Sequence, residues 1–493
     1  MVVLNAMKLQ YEPPGAKGQA GLSVVVTILS LAPLYAQSPP ASPDRPWLSP
    51  EARILAEEGK GYRQSAFLPP SGNAHSLEDL IDFAESHNPE TRVSWESAIA
   101  QGEALGIARS ELFPLLSAAV ISGVQRDEIP FGTRFYRLTV PAFQAAVDLS
   151  YTIFDFGARR GRIDAARARL LAANSAFNDV HRNLIFQVQQ AYYRLLNASG
   201  QEAAARASLA NAKQVQQAAE ARLQHGLATL PDVLEARSAT AQAQYDLQAI
   251  LGVEQITRGN LATALGLPAA TTIPVQPLDE IPTPESIAAT VDQVMARALA
   301  QRPDLQGQAA NVRAAKADRQ QARAAFYPDL KFQVAPTAES LYFQQQALPW
   351  GHTADLTGGL AFDLNWTVFD GGARKSRLAH AEADLRESEA RVNAVSDRIE
   401  DEVWTAYSNL TTAFRQRQAA TALLTAATES YNSSLESYNY GVRNLLDVTA
   451  AQKVLAGARS TDVLARTQVL TALADLAYRA ADSIQANTRT LQR

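Results

Sequence analysis

The chain contains no cysteine. That excludes disulfides, thiolate metal sites, a cysteine nucleophile and a lipid-modified N-terminal cysteine, and it suits an oxidising compartment in which stray thiols are a liability. Histidine is nearly as scarce. The six residues His75, His87, His181, His225, His352 and His380 follow no ligand spacing, so no metal site is expected. Positive charge is not in surplus either: 45 Lys+Arg stand against 50 Asp+Glu, which argues against a nucleic-acid surface. No phosphate loop follows a strand-like segment and no Gly-x-Ser-x-Gly elbow occurs, so neither an enzyme, catalytic residues nor a cofactor is expected. No stretch approaches the eighteen apolar residues that a membrane-spanning helix needs.

What is present is a duplication at an almost constant offset of 215 residues. Phe154-Asp155 returns as Phe369-Asp370, Gly157-Ala158-Arg159 as Gly372-Ala373-Arg374, Ala191-Tyr192 as Ala406-Tyr407, Gly226 as Gly441, and Asp232-Val233 as Asp447-Val448. Nearly eighty residues without an insertion is what a long helix demands, because one extra residue turns every later side chain by about 100°. Ile163, Leu170, Phe177 and Leu184 stand at strict sevens, as do Leu378, Leu385, Val392 and Ile399. Residues 155–225 and 370–440 contain no proline, so each segment reads as a continuous helix of roughly 100 Å. Helices of that length must pack on other long helices, within the chain or between copies.

Residues 1–36 read as a signal peptide: Lys8 and Lys17 precede an apolar run over 22–31, then Pro33 and Leu34-Tyr35-Ala36. Residues 37–76 form a proline-rich arm with a short helix near 51–58, and a second proline-rich tract over 267–290 is a linker. The linker separates a first structural repeat, 77–266, from a second, 291–493. Within each repeat a shorter helix ends at an aromatic-proline pair, Phe113-Pro114 and Tyr327-Pro328.

Beyond each of those prolines the period changes to two. After a first strand over 115–125 and a charged, turn-like segment over 126–137, Ala145, Val147, Leu149, Tyr151 and Ile153 alternate with Ala146, Asp148, Ser150 and Thr152. In the second repeat Phe362, Leu364, Trp366 and Val368 alternate with Asp363, Asn365 and Thr367. Such alternation gives a strand with one apolar and one polar face. β-Hairpins are expected at about 115–154 and 329–369, with strands of about ten residues, the length a tilted membrane strand needs. Tyr151, Phe154, Trp366 and Phe369 fall where an interfacial girdle belongs. A small soluble sheet has the same alternation, but four strands per chain cannot close a membrane barrel, so membrane insertion requires several copies.

The two blocks Tyr-Thr-Ile-Phe-Asp-Phe-Gly-Ala-Arg (151–159) and Trp-Thr-Val-Phe-Asp-Gly-Gly-Ala-Arg (366–374), with helical turns at 225–233 and 440–448, resemble those of the TolC-type outer-membrane efflux factors. The resemblance covers the chain from about residue 77 onward. It implies a mainly α fold with a membrane β-barrel: a homotrimer carrying a twelve-stranded barrel on a twelve-helix α-barrel. It also implies a location in the outer membrane of a Gram-negative bacterium with a periplasmic extension, not lipid-anchored. The partners implied are outer-membrane lipid, a periplasmic adaptor, and an inner-membrane pump of RND or ABC type. The implied function is the outer-membrane exit duct of a tripartite export system, most readily for drugs or other small molecules. Type I protein secretion is the alternative, and an exported, non-transporting coiled-coil or adhesin a remote one.

By the same resemblance, Asp447 matches the pore-constriction carboxylate. Asp232, Tyr438 and Arg443 match a tip latch in which the tyrosine bonds Asp232 and Arg443 ties neighbouring hairpins together. Gly226, Leu227, Gly441 and Leu445 match the adaptor-docking tips. Two departures weaken the latch: Pro231 stands where a hydroxyl residue is usual, and Ala450 cannot supply a second acidic ring. For both aspartates, plain helix capping is the competing reading. Arg159-Arg160-Gly-Arg162 and Arg374-Lys375-Ser-Arg377 mark the helix starts below the strands and are placed to meet anionic headgroups.

Overall fold

The computed structural model describes residues 58, 75–277, 290–345 and 348–481. The signal peptide, nearly all of the proline-rich arm with its expected short helix, and residues 278–289 of the linker lie outside the described residues. The elements all belong to the unit Ala66–Arg493. In order they are α1 (Leu77–His87), α2 (Pro89–Ser110), β1 (Leu115–Phe131), β2 (Arg134–Phe154), α3 (Ala158–Gln224), α4 (Leu230–Ala264), α5 (Val291–Gln301), α6 (Pro303–Ala324), β3 (Asp329–Gln345), β4 (Gly351–Asn365), α7 (Ala373–Asn439) and α8 (Leu445–Arg479). The duplication is therefore complete, and its two long helices, α3 and α7, each run for 67 residues. Among the described residues no helix is long and apolar enough to cross a membrane.

The sequence sets each boundary chemically. Ser76 and Asp79 close a capping box at the start of α1, and Asn88 accepts from the Glu90 backbone N–H to start α2 with Pro89 in its first turn. The seam residues Ile163 and Leu184 of α3 are buried, while Leu170 and Phe177 are half-buried. Helix α3 packs on α1, α2 and α6 along its upper half and on α4 and α8 along its lower half; α7 packs on α5, α6 and α8. Leu184, Val188, Tyr192, Leu195 and Leu196 of α3 meet α1 and Leu261 of α4 in the first core. Ile399, Val403, Ala406 and Leu410 of α7 meet α5 and Leu476 of α8 in a second.

A charged knot fastens the second core. Arg302, at the start of α6 and only 3% exposed, bonds Asp304 at 2.7 Å and Glu402 of α7 at 2.6 Å. Arg479 of α8 reaches the same Glu402 at 2.9 Å. Burial pushes the Asp304 and Glu402 carboxyls up, but the arginines outweigh it and hold both below the usual carboxylate range.

The strands are longer than the ten or so residues expected, and the turn within the charged segment 126–137 shrinks to two residues. β1 and β2 pair without interruption from Leu115↔Ser150 to Phe131↔Arg134, leaving only Gly132 and Thr133 between them. The charges continue the ladder because they find cross-strand partners: Arg137 pairs with Glu128 at 3.3 Å and Arg126 donates to the Thr139 hydroxyl at 3.2 Å. The four strands form one antiparallel sheet in the order β1-β2-β3-β4, the two hairpins joined through β2 and β3.

Register sorts the faces of that sheet. Rows such as Leu116–Leu149–Val334–Leu360, Ala145–Ala338–Leu356 and Tyr151–Phe332–Phe362 lie on one side. Rows such as Ser150–Gln333, Thr152–Lys331–Asp363 and Gln144–Glu339–Asp355 lie on the other. A bulge between Thr152 and Phe154 turns Phe154 onto the apolar side opposite Leu330. Among the described residues no helix covers the apolar rows, and Leu360 remains 66% exposed.

Each repeat joins sheet to helix in the same way. The Asp155 carboxylate accepts from the backbone N–H groups of Gly157 and Arg159 and from the Arg159 side chain, and Asp370 does the same with Gly372 and Arg374. Each arginine then donates back to a strand carbonyl, Ile153 or Val368. Gly157 and Gly372 take φ of +92° and +89° at the corner, where a side chain would be strained. The recurring Phe-Asp-x-Gly-Ala-Arg is thus the strand-to-helix joint.

Candidate functional site at the hairpin tips and the sheet

The tips opposite the sheet close by one mechanism. The Gly226 N–H donates to Leu223 and the Leu227 N–H to Arg222; the Gly441 N–H donates to Tyr438 and the Val442 N–H to Ser437. This is the Schellman pattern, and the glycines supply the left-handed residue at φ +71° and +77°. Both glycines are therefore turn formers with exposed backbones.

The two quasi-equivalent aspartates then diverge. Asp232 turns back on Thr229, accepting from its backbone N–H at 2.8 Å and its hydroxyl at 2.7 Å. Those bonds hold the Asp232 carboxyl below its usual range. At Asp447 only the backbone N–H is engaged, donating to the Asn444 side chain at 2.9 Å. Its carboxylate is exposed and, among the described residues, accepts no hydrogen bond and joins no ion pair. One copy uses its carboxylate as a cap and the other leaves it free.

The expected bond between Tyr438 and Asp232 is not made within the chain. The Tyr438 hydroxyl is buried with no hydrogen-bond partner among the described residues, and the Asp232 carboxylate bonds Thr229 instead, through one of its two oxygens. Burial and the nearby Asp232 charge push the phenol up, against the pull of Arg222. Arg222, a residue not expected from the sequence to matter here, lies 4.8 Å over the Tyr438 ring and donates to the Tyr438 carbonyl at 2.8 Å. It fastens the end of α3 to the end of α7. Its position four residues before Gly226, in the last turn of a helix, is the signal that could have found it. Arg443, in the turn between α7 and α8, donates back to the Ser434 hydroxyl of α7 at 3.3 Å.

Apolar exposure at the tips also departs from expectation at one position. Leu227 is exposed as expected, but Leu445 is 2% exposed and packs with Val233, Tyr438 and Val448 in the tip core. Its neighbour Leu446, at 62%, and Val442, at 80%, face outward instead. The first turn of α8 must bury one side, and Leu445 is on it.

At the sheet end, Phe154, Trp366 and Phe369 are exposed and Tyr151 is half-buried. Phe154 meets Phe156 edge-on at 4.7 Å, and Phe156 stacks on Tyr327 at 4.8 Å. The Trp366 indole N–H donates to the Phe326 carbonyl at 3.2 Å. Phe156 has φ +49°, unusual for a bulky residue, where the second copy carries Gly371 at +65°. Phe156 and Tyr327 thus extend the aromatic collar beyond the four residues expected from sequence, and Phe113, the equivalent of Tyr327, is exposed at the end of α2.

A sheet apolar on its uncovered face, standing on coiled helical hairpins, defines a membrane channel component. The chain belongs to the outer membrane efflux protein family, whose pattern it matches over residues 80–267 and 294–480. It is 29% identical over 416 residues to the protein CyaE of Bordetella pertussis, covering 83% of this chain and 85% of that protein. It is 28% identical over 382 residues to the pyoverdine export outer membrane protein OpmQ of Pseudomonas putida, covering 74% and 75%. The outer membrane protein VceC of Vibrio cholerae shares the fold, with a TM-score of 0.69 over 82% of this chain and 95% of that one at 17% identity. The chain is thus a TolC-type outer-membrane efflux protein of Gram-negative bacteria, the outer-membrane component of an efflux or secretion system.

Proposed function

We propose that three copies of the chain assemble head to tail into a duct that conducts small molecules passively from an inner-membrane pump and its periplasmic adaptor to the exterior. The observation that carries this reading is the sheet. Its uncovered face is apolar and its opposite face polar, while β1 and β4 each leave an edge unpaired. In lipid an open edge is intolerable, so the edges must meet across copies. Three sheets of four strands give a twelve-stranded barrel with polar residues lining the lumen. The helices then continue as a tunnel whose far end is ringed by three Asp447 carboxylates, and the exposed Leu227, Val442 and Leu446 receive the adaptor. Small molecules are favoured as cargo because the name of OpmQ ties that relative to pyoverdine export.

Fractionation and planar-bilayer recording test the proposal together. The protein should be recovered from outer membranes as a trimer and should form cation-selective channels. A soluble monomer that leaves bilayers silent would refute it.

A further inference from the structure

Just below the aromatic collar, each of the four helices that meet the sheet presents an exposed cation at its end, and α7 adds Arg377 in its next turn. Arg109 lies in the last turn of α2 and Arg323 in the last turn of α6. Arg160 and Lys375 lie in the first turns of α3 and α7. All four side chains are exposed. Arg109 and Arg323 stand four residues before Phe113 and Tyr327, which lie in the turns just beyond the two helix ends. The neighbouring Arg159 and Arg374 are consumed by the joint, bonded to Asp155 and Asp370. The four outward cations are not. Arg109, Arg323 and Lys375 have no ion-pair partner among the described residues, and Arg160 has only Asp164 at 3.7 Å, with 81% of its side chain exposed.

Helix electrostatics explains half of this pattern and contradicts the rest. A cation suits the C-terminal turns that hold Arg109 and Arg323. Arg160 and Lys375 sit at N-terminal turns, where the helix dipole disfavours positive charge and no acidic residue is present in either first turn. The Asp155 and Asp370 carboxylates already cap the N–H groups there, so it is the outward cations, rather than the helix ends, that are left to meet an external anion. The surface is continuous with the aromatic collar, so that anion lies at headgroup depth.

We infer that Arg109, Arg160, Arg323 and Lys375 form a belt that binds the phosphate groups of anionic phospholipids in the periplasmic leaflet, setting the depth of the barrel in the membrane. The inference rests on the reading of the sheet as membrane-spanning. Charge complementarity selects the lipid. A net anionic headgroup gains from every cation of the belt, whereas a zwitterionic one brings a compensating positive charge.

The test uses native mass spectrometry of the detergent-solubilised full-length trimer, titrated with phosphatidylglycerol or phosphatidylcholine. The wild type should retain phosphatidylglycerol preferentially, and the preference should weaken with salt. The combined variant Arg109→Gln, Arg160→Gln, Arg323→Gln and Lys375→Gln should remain trimeric and lose the preference, by roughly fivefold for each cation removed. Replacing the three arginines by lysine should keep it. Neutralising Arg126, Arg134 and Arg137 at the opposite ends of the strands should leave it unchanged. Equal retention by the glutamine variant, or equal competition by inorganic phosphate, would overturn the belt. A protein that enters no membrane would instead overturn the barrel reading itself. Should the combined variant not assemble, Lys375→Gln alone must still give a measurable fall in preference.

Discussion

Helices α3 and α7 are copies of equal length, yet only α3 is enclosed. Helix α6 lies against α3 through Ala317 and Gln321, close enough that a Cβ on Gly161 would come within 3.0 Å of both. The equivalent of Gln321 in α2 is Ile107, 214 residues earlier, and it is 72% exposed. Val93, the equivalent of Gly307, is exposed as well. The repeat therefore uses one contact face twice, filling it inside the chain between α6 and α3 and leaving it bare on α2. In the trimer proposed above, α7 of the next copy is the long helix that receives that bare face. An interface of this head-to-tail kind closes into a ring or grows without end, and the curvature of the paired repeats decides which.

The largest effect should come from spoiling the bare face while sparing its filled twin. Ile107→Asp is expected to abolish the trimer in native mass spectrometry while circular dichroism keeps its helical signal. Ala310→Asp, on the filled face of α6 at 5% exposure, should instead prevent folding. If Ile107→Asp still forms trimers, the faces are not equivalent.

The charged knot separates the repeats next, since among the described residues the first has no counterpart of the Arg302–Glu402–Arg479 network. Glu402→Ala leaves two arginines short of a partner and should cost about 3 kcal/mol in denaturant unfolding. The carboxyls of Asp304 and Glu402 lie below their unfolded values. Their stabilisation is complete above the unfolded values near pH 4 and is lost as pH falls through the lower folded ones. Thermal stability should thus be level from about pH 5 to 7 and fall below about pH 4, less steeply in Glu402→Ala.

At the tips the contrast is between a free and a capped carboxylate. Asp447→Asn should lower cation selectivity severalfold in single-channel recordings. Asp232→Asn should leave selectivity intact and weaken the start of α4 by about 1 kcal/mol. Equal selectivity losses would mean that both carboxylates face the lumen. The smallest effect is expected at the collar: Phe156→Gly relieves a left-handed φ but removes the stack on Tyr327, and the two should offset to within about 1 kcal/mol of wild type in thermal unfolding.

Much of this was legible because a long helix tolerates no insertion, so the constant offset fixed both helices, both tips and both joints. The strand ends were misread because Arg126, Glu128 and Arg137 look like a loop until cross-strand partners are known. The tip latch was misplaced for a similar reason. Nothing in the spacing of Thr229 and Asp232 reveals that the carboxylate turns to the Thr229 hydroxyl rather than to Tyr438. Likewise Leu445 and Leu446 are indistinguishable in sequence, and only the packing of α8 on α7 buries the first.

The uninterrupted 67-residue helices also constrain how such ducts change over generations. Adding one residue to α3 would twist its lower half out of register with α4 and α8. Only whole heptads restore the seam, and each lengthens the helix by roughly 10 Å. The same heptad must enter α4, α7 and α8 at matching heights, or the tips no longer meet. The reach of the duct across the periplasm is therefore quantised, and lineages facing a wider or narrower gap must find the difference in the partner that docks below.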